Sequence, residues 1–180
     1  MRKRCIHCLH LKRNLGVTKT FPESNSYNVP LCFKVNRLSR EELEEAYRYT
    51  LAQHPSLTSA VREVNGELVM VENVCVETSI PEDDLTHLSH ADALDYVKKQ
   101  SRKPFSLEGP ICRLNVYRIS DHESLVLFNV HHIVFDGQSS IVFMKTLFSA
   151  YEAEVVGKPL PKLESSAHYR NFVIKEETCN

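Results

Sequence analysis

In Asn129-Val130-His131-His132-Ile133-Val134-Phe135-Asp136-Gly137-Gln138-Ser139, two adjacent histidines are followed, three residues on, by Asp-Gly. The run before them, Ser124 to Val130, is almost wholly apolar and of strand length, which predicts a buried strand. After them, Ile141, Val142, Met144, Lys145, Leu147, Phe148 and Tyr151 follow a helical rhythm. A strand end, a tight loop and a helix start can hold one imidazole rigidly, and imidazole titrates closest to neutral pH. Side chains alternate along a strand, so His131 and His132 are predicted to point to opposite sides, one to the core and one to a cavity. Ser139 is the expected helix cap. Gly137 allows either unusual backbone angles or a close approach by a ligand. Asp136, short and charged, is suited to bracing the loop.

Working outward, the chain alternates strands and helices. Tyr27 to Val35 reads as a strand. Ser39-Arg-Glu-Glu42 has the form of a capping box before a helix carrying Leu43, Tyr47 and Leu51 and ending ahead of Pro55. Val61 to Val64, Asn65-Gly66 and Glu67 to Val71 read as a hairpin, since Asn-Gly suits a tight turn. Val74 to Thr78 is read as a further strand and Pro81 to Asp84 as a surface loop. Ser89 caps a second helix running to Arg102, with Ala93, Leu94 and Val97 inward. Ile111 to Ile119 and Ser124 to Val130 are strands joined by a polar turn. Gly157 to Pro161 is a proline-marked connection, and His168 to Glu177 a short last helix. This alternation predicts an α/β fold, a two-layer sandwich of helices on a mixed β-sheet.

Composition narrows the function. With 180 residues, 42% hydrophobic and 25% charged, the chain can bury a core without metal or disulfide staples. A net charge of −1 argues against dedicated nucleic-acid binding. No apolar run approaches membrane-spanning length and Met1-Arg-Lys-Arg4 lacks an apolar signal core, so a cytoplasmic address is expected. Arg2, Lys3, Arg4, Lys12, Arg13 and Lys19 make residues 1–20 a basic segment, read as a solvated terminus over a surface for an acidic carrier. Of six cysteines, Cys32, Cys75 and Cys112 read as small core residues. Cys5-Ile-His7-Cys8-Leu-His10 has CxxC spacing, but no second ligand pair follows at zinc-site distance, so no metal is expected. Ser139 and Ser140 lie in no nucleophile elbow.

His131-His132-x-x-x-Asp136-Gly137 resembles the HHxxxDG signature of the condensation domains of nonribosomal peptide synthetases, within the superfamily of chloramphenicol acetyltransferase. Lys103-Pro104-Phe105-Ser106-Leu107-Glu108-Gly109-Pro110, with Arg113, is similar to the family's PFDLxxGPLxR segment. Leu51 to Leu57 resembles the RHExLRT region, His168 to Val173 the YxDFAxW segment, and Ser26 to Pro30 the YNIP strand entry. The likeness spans about residues 20 to 177. It departs at Pro55, Thr58 and Ser59, at Arg170 and Asn171, and in Met1 to Gly16, where the family's opening motif is not recognisable.

The resemblance implies that residues 21–180 form the N-terminal lobe of a two-lobed condensation domain, a chloramphenicol acetyltransferase-like half. It implies acyl transfer from a thioester on a phosphopantetheine arm to an acceptor amine, with no cofactor or metal bound directly. His132 would be the catalytic histidine and His131 an interior buttress. Asp136 would be a bracing residue whose arginine partner lies in a C-terminal lobe, with Arg62 and Arg113 as in-chain alternatives. Gly137 would leave room beside an oxyanion-binding amide. The implied partners are an acyl or peptidyl carrier protein and the second lobe or another protomer. A stand-alone acyltransferase with its site between protomers and a non-catalytic carrier-docking module are the alternatives.

Overall fold

The structure, a computed structural model, describes residues 24–64, 67–71 and 76–161. Strand β1 (Asn28–Asn36) leads to helix α1 (Arg40–Gln53) and a single 3-10 turn at Pro55–Thr58. Strands β2 (Ala60–Val64) and β3 (Glu67–Val71) follow, then β4 (Glu82–Asp84), α2 (His90–Ser101), β5 (Cys112–Arg118), β6 (Glu123–His131) and α3 (Gly137–Val155). The main sheet has the order β1-β6-β5-β4, antiparallel except where β4 runs parallel to β5. β2 and β3 pair separately as the expected hairpin, with Val64 opposite Glu67.

The period-2 pattern of β6 explains how the helices are placed. Val126, Phe128 and Val130 face one way, into a core with Leu43, Ala46 and Tyr47 of α1 and Phe143, Leu147 and Ala150 of α3. Leu125 and Leu127 face the other way, against Ala93 and Val97 of α2. Phe143 stacks on Phe128 with ring centroids 3.9 Å apart, and Phe135 meets both rings edge-on. β6 is thus buried on both faces and paired along both edges, which makes its C-terminal end a firm base for a site.

The outer edge of β1 is protected by its register. His132 N–H donates to Tyr27 O at 2.7 Å, so odd-numbered residues of β1 bond to β6 and even-numbered ones turn their amide groups outward. Pro30 falls on an outward position, where its missing N–H costs no ladder bond and blunts the edge. Cys32 shares that phase and is exposed rather than a core residue, whereas Cys112 is buried as expected.

Several local expectations need correcting. Pro81 to Asp84 is not a loop: Glu82–Asp84 is an edge strand, held by Val116 N–H on Pro81 O, Leu85 N–H on Arg118 O, and Arg118 ion-paired to Asp84 and Glu82. Its exposed acidic residues carry no strand signal. Val76 to Thr78 is irregular; Val74 and Cys75 lie outside the described residues. Leu94 is 44% exposed, because the buried positions of that helix are Ala93 and Val97. Ser89 caps α2 as predicted, accepting from Asp92 N–H at 3.2 Å. Ser39 instead donates its hydroxyl to the Glu42 carboxylate and takes no backbone amide. α3 ends where Gly157, at φ 66°, allows Lys158 N–H to reach Ala153 O at 2.8 Å. Residues 1–20, the Cys5–His10 cluster and His168 to Glu177 fall outside the described residues. Among those described, no helix is long and apolar enough to cross a membrane.

Candidate functional site

β6 ends at His131, and the turn that follows carries the chain to the first residue of α3, Gly137. The two histidines part as alternation requires. His131 is 3% exposed, with its ring stacked on Tyr27 (centroids 5.7 Å apart) and met edge-on by Phe105 at 6.4 Å. Its Nδ1 accepts Ile133 N–H at 3.1 Å, so the lone pair is engaged and the proton sits on Nε2. Burial, aided by the neighbouring His132, drives its pKa down from 6.5 to about 4. It is a neutral interior prop at neutral pH.

His132 is exposed. Its backbone N–H is anchored on Tyr27 O, and its ring Nδ1 lies 2.7 Å from the carbonyl oxygen of Phe135. A carbonyl only accepts, so Nδ1 carries the hydrogen, and in the neutral ring the lone pair is on Nε2, directed away from that bond. The acceptor is itself fixed, because the Phe135 side chain is buried in the aromatic stack with Phe128 and Phe143. An oriented, exposed imidazole with one basic nitrogen is what proton abstraction requires.

Asp136, not Ser139, is the cap of α3. Its Oδ1 accepts both the backbone N–H and the hydroxyl of Ser139, each at 2.8 Å. These bonds hold its carboxyl below the usual range, with a smaller contribution from His132. Neither in-chain arginine pairs with it: Arg62 donates to Val61 O and Glu108 O, and Arg113 to Pro104 O and Lys103 O. Among the described residues Asp136 forms no ion pair. Gly137 has no left-handed backbone angle, and a Cβ built there would meet nothing within 4 Å, so its site value is open space at the helix N-terminus. Among the described residues no cluster of His, Cys, Asp and Glu could hold a metal.

Sequence reasoning did not single out Tyr27, Asn28, Phe105 or Asn129 as parts of this site. One signal was available: Asn129 is the lone amide in an apolar strand and is fully buried. The Phe135 carbonyl had none, since a backbone acceptor leaves no mark in the side-chain pattern.

Residues 11–179 match the family model of the condensation domain, and the chain belongs to that family. It is 31% identical over 157 residues to the polyketide synthase PksN of Bacillus subtilis, covering 86% of this chain and 3% of that protein. It is 31% identical over 153 residues to bacitracin synthase 3 of Bacillus licheniformis, covering 84% of this chain and 2% of that one. Among solved structures, the starter condensation domain of rhizomide synthetase RzmA superposes with a TM-score of 0.86 at 16% identity. That match covers 97% of this chain and 43% of the solved chain. The first condensation domain of the CDA synthetase gives 0.77 at 19% identity, covering 88% and 42%. The chain therefore spans a few per cent of these synthases and under half of the solved domains, whose likeness shows the fold.

Proposed function

We propose that this chain supplies the base for condensation in nonribosomal peptide synthesis, joining a carrier-bound acyl thioester to an acceptor amine. The observation that carries this is the His132 Nδ1 contact with Phe135 O, which leaves Nε2 basic on an exposed ring. The amine nitrogen attacks the thioester carbonyl while Nε2 takes its proton. The tetrahedral intermediate collapses with C–N bond formed and C–S bond broken, and the imidazolium returns the proton to the departing thiolate. No acyl-enzyme is needed. The N–H of Gly137, beside the space a side chain would fill, is the oxyanion donor in this scheme. Asp136 acts as cap and loop brace rather than as a triad acid, which its bonds to Ser139 support. Holding two tethered substrates together supplies much of the rate.

The substrates arrive on phosphopantetheine arms of acyl or peptidyl carrier proteins, in the cytoplasm. The rest of a two-lobed domain completes the channel. In a condensation domain carrying this chain, His132→Ala is expected to lower single-turnover amide formation by about 10²- to 10⁴-fold while the circular dichroism spectrum stays the same. Undiminished product would refute the assignment.

A further inference from the structure

Behind the histidine turn, the end of α2 is held by side chains from three strands. Asn28 of β1 donates its Nδ2 to Ser101 O at 2.9 Å and to Lys103 O at 2.8 Å. Asn129 of β6 donates its Nδ2 to Ser101 O at 2.7 Å. Arg113 of β5 donates to Lys103 O and, at 3.3 Å, to Pro104 O, with its guanidinium 4.1 Å over the Phe105 ring. The carbonyls at a helix C-terminus lack intrahelical partners and concentrate negative potential, so amide donors and a cation suit them. Among the described residues, no group donates to the Oδ1 of Asn28 or of Asn129. Both amides thus serve only as donors, and flipping either would set oxygen against oxygen.

We propose that Asn28 and Asn129, with Arg113, form a clamp whose members are positioning residues for the His131–His132 turn. This rests on the reading of His132 as the base. The connection is short. The clamp fixes the turn after α2 and so seats Phe105 beneath Arg113 and perpendicular to the His131 ring. Asn28 anchors the start of β1, where Tyr27 stacks on His131 and its carbonyl receives the backbone N–H of His132. Asn129 lies two residues before His131 on the same side of β6. Three strands and one helix end thus meet at the residue preceding the base.

The test reads the His132 ring by two-bond proton–nitrogen correlation in the full chain, comparing wild type with Asn129→Leu. Leucine has similar volume and removes the Nδ2 donor, while Ser101 O keeps its bond from Asn28, so the fold is expected to persist. Wild type should show a single tautomer with hydrogen on Nδ1, and the variant a mixture. The same variant should lower kcat about tenfold to a hundredfold with KM little changed. A folded variant retaining the wild-type tautomer overturns the clamp, whatever its rate. If Asn129→Leu does not fold, Asn28→Ser at a half-buried site removes two donors and is judged by the same spectrum. A wild-type chain with the single tautomer but no acyl transfer in a complete domain would overturn the functional reading and leave the clamp standing.

Discussion

His131 and His132 are chemically identical side chains on adjacent residues, yet the fold gives them opposite roles. One ring lies between Tyr27 and Phe105 and stays neutral; the other holds its proton on the nitrogen next to Phe135 O. The buried ring links stability to pH. Its pKa falls from 6.5 in the unfolded chain to about 4 in the fold, so between those values the unfolded chain binds the extra proton more readily. The stability this ring permits is complete above pH 6.5 and drains away as the pH drops toward 4. His131→Phe, which keeps an aromatic between Tyr27 and Phe105, is expected to flatten that part of the urea-midpoint profile. His54, also lowered by burial, continues to titrate in both proteins, so the difference between the two profiles isolates residue 131. Superimposable profiles would mean that the ring is reached by solvent.

At the scale of elements, the junction between β6 and α3 rests on one carboxylate. Asp136 accepts two bonds from Ser139, so Asp136→Ala should destabilise the fold by about 1 kcal/mol, as loss of an N-cap does. Asp136→Asn keeps an acceptor oxygen and should cost far less in a denaturant titration; equal losses would favour a charge-dependent brace. The sequence reading placed the cap at Ser139 rather than Asp136, because both residue types cap helices and lie three positions apart. The alternating pattern of β6 and the divergence of its two histidines were legible, because period 2 is a local property. β4 was not, because Glu82, Asp83 and Asp84 are strand only through what β5 offers them. Cys32 was misread although the phase of Leu31 and Phe33, both packed toward the core, already placed it outward. The clamp needed coordinates, since Asn28 and Asn129 reach carbonyls 28 to 75 residues away along the chain.

For the molecule as a whole, the core and the site share an aromatic column. Phe143 is fully buried and stacks on Phe128, and both touch Phe135, whose carbonyl orients His132. Phe143→Ala is expected to cost about 3–5 kcal/mol in chemical denaturation and to blur the His132 tautomer as well. Loss of stability with an unaltered ring spectrum would show that the column supports the fold and not the base. The placement of β6 has a historical consequence too. It is held on both edges by a fixed register, so gaining or losing one residue within it would exchange the inner and outer imidazoles and turn Val126, Phe128 and Val130 away from their helices. Lineages descending from this gene can therefore tolerate indels in the polar bend at Ser120 and Asp121, while the span from His122, whose carbonyl accepts Arg37 N–H, to His132 must keep its length or forfeit its chemistry.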